Sequence, residues 1–144
     1  MIVSTKGRYA LMVMIDLANH DDGGYVSLAD ISDRQKLSMK YLENVVSMLN
    51  KGGMLRSLRG KNGGYRSPED YNIGEILRIT EGSLAPVDCI KSGEVSCGRA
   101  HSCVTLPLWI GLDKVIDEYL DNITLQDLMT GNVDKLIQDQ DTSR

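Results

Sequence analysis

Residues 27–67 read SLADISDRQKLSMKYLENVVSMLNKGGMLRSLRGKNGGYRS. Ser27 can cap a short helix, SLADISDRQ, and Asp30 three residues on resembles a capping box. Leu28, Ile31 and Ala29 are its inward candidates, and it stops near Lys36. Ser38 opens a longer helix whose apolar stripe is Leu42, Val45, Val46 and Leu49, closed by Gly52–Gly53. A short helix, a tight turn at Leu37 and a longer helix make a helix-turn-helix. MLRSLR then alternates apolar and polar residues, GKNGGY supplies a glycine-rich turn, and YRS returns, which predicts a β-hairpin with Arg59 and Lys61 at its tip. Three helices followed by a cationic hairpin predict a winged helix. The bland alternative is a three-helix core with a polar outer face and a purely structural hairpin.

Charge bears on the choice, with a solvated face that merely happens to be basic as the alternative, and the cationic tip, which a purely structural hairpin would not need, tips the balance. The chain has 144 residues and a net charge of −4, which argues against a generic polyanion binder. From Arg34 to Arg66, however, eight cationic residues (Arg34, Lys36, Lys40, Lys51, Arg56, Arg59, Lys61, Arg66) face only Glu43. From Tyr71 onward six cationic residues are outnumbered by twelve acidic ones. A basic middle on an acidic protein is the footprint of a nucleic-acid surface. In a helix-turn-helix the second helix enters the major groove by its N-terminal residues. The predicted contacts are Ser38, Lys40, Tyr41 and Asn44 in the groove, Arg59 and Lys61 on the wing, and Lys6 and Arg8 on phosphates.

Outward from this stretch the chain is helical. Residues 4–20 predict an amphipathic helix capped by Ser4 or Thr5, with Tyr9, Leu11, Met12, Ile15, Leu17 and Ala18 on its apolar face. A turn-rich loop follows, and Tyr25–Val26 suit a short strand. Pro68 ends the hairpin, Asn72 caps a helix with Ile73, Ile76, Leu77 and Ile79 apolar, and Gly82 stops it. Thr105 is placed as N-cap of a long helix, TLPLWIGLDKVIDEYLDN, with Pro107 in its first turn. Leu108, Trp109, Leu112, Val115, Ile116, Tyr119 and Leu120 cover more than one side of it, which predicts a partner helix from a second subunit, hence a homodimer. Thr124 caps a last short helix. The domain division is 1–82 for DNA binding, 83–104 for a cysteine loop, 105–130 for dimerisation and the short helix after it, and 131–144 for a tail. With no Phe and one Trp, the core must be Leu, Ile, Val and Met.

All three cysteines, Cys89, Cys97 and Cys103, lie in one Gly/Ser-containing loop, separated by seven and then five residues. Unrelated core cysteines would sit in periodic segments instead. A disulfide leaves one thiol over, and structural zinc calls for four ligands and short CxxC knuckles. Three thiolates and one borrowed ligand suit an iron–sulfur cluster. A thiol switch without metal is the alternative. The N-terminus lacks the apolar run and cleavage site of a signal peptide, and Asp16 interrupts any membrane-spanning reading, so a reducing cytoplasm and no membrane are expected. No catalytic constellation surrounds His20 or His101 and no nucleotide-binding loop is present, so an enzyme is not expected.

The whole pattern resembles the Rrf-type winged-helix regulators of bacteria. The residues that carry the resemblance are STKGRYAL (4–11), LADIS (28–32), LSMKYLE (37–43), LRSLRGKNGGY (55–65), the three-cysteine loop, LW (108–109) and NITLQDL (122–128), spread over about residues 1–130. The resemblance implies a homodimer on a pseudo-palindromic DNA operator. With three cysteines on this loop, it implies an iron–sulfur cluster, 2Fe–2S or 4Fe–4S, held by Cys89, Cys97 and Cys103. Among such members the chain looks most like the iron–sulfur assembly regulators. Their histidine ligand corresponds here to Leu106, and the first cysteine spacing is two residues longer. The aspartate ligand of the nitric-oxide sensors falls at Lys6–Gly7–Arg8. His101 is the candidate fourth ligand, with Asp88, a partner-chain residue or a small thiol as rivals. The alternative function is a thiol-based redox or nitric-oxide responsive repressor without a stable cluster.

Overall fold

In the computed structural model, the structure describes residues 3–20, 26–55, 68–93, 98, 102–132 and 136–137. It is mainly helical. In chain order, α1 spans Thr5–Asn19, α2 Leu28–Gln35, α3 Met39–Lys51, α4 Ile73–Glu81, α5 Leu106–Asn122 and α6 Leu125–Thr130. Short 3-10 turns occupy Pro68–Asp70 and Asp88–Gly93. The predicted hairpin, with Arg59 and Lys61, lies outside the described residues, as does Tyr25.

The predicted caps explain most helix starts. The Ser4 hydroxyl accepts from the Gly7 amide, Ser38 from Tyr41 and Asn72 from Glu75. Ser27–Asp30 and Thr124–Asp127 each form a reciprocal capping box. Thr105 departs from expectation. It holds the cap position, but its φ of −90° and ψ of −11° are helical, and it makes no side-chain cap bond. Its hydroxyl lies beside Cys103 Sγ instead.

The core joins α1, α3, α4 and the 123–125 segment. Val13, Ile31, Leu42, Val45, Leu49, Ile76 and Leu125 are buried in it. Burying one such side chain contributes about 1.5–3 kcal/mol. α1 sits at the centre and is apolar on more sides than its pattern predicts. Its deepest residues are Ala10, Val13, Met14 and Leu17, while Tyr9, Leu11, Met12, Ile15 and Ala18 pack around them half-buried. Ala29, read as inward, is exposed, because Ile31 alone of α2 reaches the core fully. Tyr71 is buried with its hydroxyl donating to the Met54 carbonyl. An antiparallel bridge between Asn72 and Thr124, with Ile73 N–H to Ile123 O and Leu125 N–H to Tyr71 O at 2.9 Å each, ties the segment between α5 and α6 to the start of α4.

Two glycines mark close approaches that sequence could not explain. A Cβ on Gly7 would lie 2.5 Å from Glu81 Oε1, and one on Gly74 would lie 2.0 Å from Asp121 Oδ1. Gly7 admits Glu81 to the N-terminus of α1, where its carboxylate accepts from Ser4 N–H (3.0 Å) and Ser4 Oγ–H (2.6 Å). Gly74 admits the contact that joins α4 to α5.

Candidate functional site

α2, the three-residue turn Lys36–Ser38 and α3 form the helix-turn-helix. Lys36 is the one described non-glycine residue with positive φ, 58°, so the reversal of direction is concentrated there. Leu37 is buried beneath the turn and its amide donates to Ser32 O. The start of α3 therefore projects outward on a fixed base. Ser38, Met39, Lys40, Tyr41, Glu43 and Asn44 are all exposed. The Ser38 oxygen accepts the Tyr41 amide at 3.2 Å, so its hydroxyl hydrogen is the group left to face a ligand. The Tyr41 ring meets Tyr9 of α1 edge-on, centroids 5.3 Å apart, which orients its hydroxyl. Arg8 is exposed on α1 with its guanidinium donating to Thr5 Oγ1, and Lys6 is half-buried nearby in sequence.

Arg34 does not belong to this free charge. Its Nε and Nη2 donate to Asp16 at 3.0 and 2.6 Å, and Gln35 Nε2 donates to the same carboxylate at 2.9 Å. Asp16 is 1% exposed. Burial alone would raise its pKa. The hydrogen bonds from Arg34 and Gln35 and the Arg34 charge outweigh burial and hold it below the ordinary carboxylate value. Sequence reasoning passed over Asp16 as a partner for Arg34, although a single acid in an otherwise apolar helix was a visible signal.

The second region surrounds α5. Cys89 lies in the second 3-10 turn, and its neighbour Ile90 is buried. Ile90 lines a cleft of about 200 Å³ with Leu84, Arg78, Asp113 and Asp117, at the junction of α4 and α5. Arg78 bridges that junction, donating to Asp117 Oδ1 at 2.8 Å and to both Asp121 oxygens at 2.8 and 3.2 Å. These hydrogen bonds outweigh partial burial and raise its pKa further, so it stays charged. Asp113 is pushed upward, by partial burial first and then by the Asp117 charge. Cys103 sits at the N-terminus of α5, its Sγ 3.4 Å from Thr105 Oγ1. Hydrogen bonds from the Thr105 hydroxyl and from the Thr105 and Leu106 amides lower its thiol pKa, favouring the thiolate a soft metal binds. Cys89 and Cys103 are both half-buried thiols. Cys97 and His101 lie outside the described residues, and among the described residues no three His, Cys, Asp or Glu side chains gather as a metal site.

α5 has no fully buried residue over its 17 positions. Ile116, Tyr119 and Leu120 pack on the core, while Leu108 (61% exposed), Leu112 (40%) and Val115 (60%) form an uncovered stripe at i, i+4 and i+7. Among the described residues no helix is long and apolar enough to cross a membrane.

A helix-turn-helix with an exposed, capped second helix is the architecture of a DNA-binding regulator. Residues 3–131 match the Rrf2 family, described as iron-dependent transcriptional regulators, and the chain belongs to that family. It is similar to the HTH-type transcriptional regulator IscR of Photobacterium profundum, 42% identical over 135 residues, covering 92% of this chain and 77% of the relative. Among solved structures it resembles T. potens IscR, with a TM-score of 0.68 and 40% identity, covering 92% of this chain and 88% of that one. It also resembles CymR, the global cysteine regulator of B. subtilis, with a TM-score of 0.69 and 36% identity over 90% of this chain and 97% of that one. The relatives are regulators and the chain is not an enzyme.

Proposed function

We propose that the chain is a homodimeric, cytoplasmic winged-helix transcription factor whose binding to a DNA operator is set by an iron–sulfur cluster. Cys89, Cys97 and Cys103 would hold the cluster, with His101 as the fourth ligand. The observation that carries this reading is Cys103. It combines a stabilised thiolate with a position at the start of the helix that bears the uncovered apolar stripe. The donor chemistry of Cys89 and Cys103 fits a thiolate-bound cluster, and the IscR relatives are consistent with it. When bound, the cluster supplies a labile iron centre responsive to iron supply, oxygen or nitric oxide.

The chain's own residues would do the rest. Ile90 and Cys103 tie the two ends of the cysteine loop to the α4–α5 junction and to α5. Arg78, between Asp117 and Asp121, links α5 to α4, and α4 packs on α1 and α3. Residues 1–82 read the DNA, 83–104 form the cysteine loop, 105–130 include the dimer helix, and 131–144 form a tail. Ser38, Lys40, Tyr41 and Asn44 would enter the major groove, Arg59 and Lys61 the flanking backbone or minor groove, and Lys6 and Arg8 the phosphates.

A second reading follows from the same thiolate and from the likeness to a cysteine regulator. Cys103 would act as a redox-responsive thiol with no stable cluster, on the same DNA-binding dimer. Anaerobic purification with iron, sulfide and visible-absorption measurements separates the two. A brown protein with two or four irons per chain supports the cluster, and Mössbauer spectra then settle its type. A colourless protein that takes up no iron on anaerobic reconstitution rejects the cluster and leaves the thiol switch.

A further inference from the structure

We infer that Asp16 is a positioning residue for DNA recognition, fixing the C-terminal end of α2 and thereby the turn that presents α3. This rests on the DNA-binding reading. The geometry is a buried carboxylate that takes donors from the last two residues of α2, Arg34 and Gln35. On its own helix, His20 Nδ1 lies 3.6 Å from Asp16 Oδ1 and 2.8 Å from the Asp16 carbonyl oxygen. α2 has eight residues and buries only Ile31 fully, so apolar packing leaves its rotation about its own axis weakly specified. A directional, charge-assisted fork supplies what the packing lacks.

The path from the fork to the DNA-facing residues is short. Gln35 is followed by Lys36 in the left-handed conformation, then by buried Leu37, whose backbone N–H and C=O are both tied to Ser32. Ser38 follows as the cap of α3. A rotation of α2 at Gln35 is therefore passed on to Ser38, Lys40 and Tyr41. The same fork withdraws Arg34 from the basic surface, so Arg34 acts through Asp16 and makes no phosphate contact.

The test is a double-mutant cycle of Asp16→Asn, Arg34→Gln and the pair. Each protein is assayed against a duplex that the wild-type dimer selects from a random library and against a scrambled duplex. Circular dichroism at the assay temperature confirms that each variant is folded. Each single variant is expected to lose about tenfold on the selected duplex and less than about twofold on the scrambled one, with the double variant close to the weaker single. The salt slope stays unchanged. Equal losses on both duplexes, or no loss on either, overturn the inference. So does an Arg34→Gln salt slope smaller by about one, which would make Arg34 a phosphate contact. If Asp16→Asn does not fold, Gln35→Met removes a single donor. It is expected to show the same preferential loss at smaller size, and a selected-to-scrambled ratio equal to wild type overturns the inference. A wild-type protein that enriches no duplex would instead reject the DNA-binding reading itself.

Discussion

Gly7→Ala is a substitution for which helix propensity and tertiary structure predict opposite signs. In an ordinary helix the change stabilises by about 0.4–1 kcal/mol. At this position the new methyl would sit 2.5 Å from Glu81 Oε1, 3.1 Å from Val3 Cγ1 and 3.2 Å from Leu77 Cδ2. Glu81 Oε1 is not a loose atom, since it accepts from both the amide and the hydroxyl of Ser4. Moving it breaks hydrogen bonds to a charged group, worth about 1.5–3 kcal/mol each. Relaxation of the glutamate and the helix gain offset part of that loss. The expected net effect is a destabilisation of about 1–3 kcal/mol, or roughly 3–10 °C in Tm for a chain of this size. The assay is thermal and urea unfolding at fixed protein concentration, repeated in a Glu81→Ala background. Without the carboxylate, only Val3 and Leu77 must give by a few tenths of an ångström, and the alanine penalty should shrink below about 0.5 kcal/mol. An alanine variant as stable as wild type, or an unchanged penalty in the Glu81→Ala background, refutes the argument.

Three further outcomes follow. Val115→Glu places a charge in the uncovered stripe of α5 and should convert the proposed homodimer to monomer in sedimentation. Loss of one such apolar contact, about 1.5–3 kcal/mol, already raises the dimer Kd by roughly 10–150-fold, and an unchanged mass would move the dimer interface elsewhere. Thr105→Val removes the hydroxyl that stabilises the Cys103 thiolate, so the thiol pKa should rise. In cluster-free protein the pH midpoint of Cys103 alkylation, read by mass spectrometry, should then move upward, and a midpoint that stays or falls contradicts the assignment. Lys61→Ala should weaken binding to all duplexes alike and reduce the salt slope by about one. An unchanged slope would mean that Lys61 does not reach a phosphate.

Where side chains cap their own helix, the sequence was sufficient. Ser4, Ser27, Ser38, Asn72 and Thr124 lie within three residues of the amides they satisfy, and the apolar stripes of α3 and α4 repeat at helical spacing. What was not legible depends on contacts distant in the chain. Gly7 and Gly74 read as ordinary helix positions until Glu81 and Asp121 are brought against them. Arg34 counted as free charge because Asp16, its partner, is 18 residues away. Thr105 looked like a cap by residue type, yet its backbone is already helical and its hydroxyl serves Cys103 instead. Of the cysteine loop, Cys89 lies in the 3-10 turn next to Ile90, which lines the α4–α5 cleft, and Cys103 lies at the head of α5. The proposed ligand role of Cys97 rests on the resemblance, and that of His101 on its chemistry and its place two residues before Cys103, since the histidine of the assembly regulators corresponds here to Leu106.

The most direct test of the central claim compares cluster-loaded and cluster-free protein on the selected duplex at matched salt and without oxygen. The two affinities should differ by about 5–150-fold, the usual range of coupling between a signal site and a binding site. Identical affinities for every duplex tested, from a protein shown to carry the cluster, would contradict that claim.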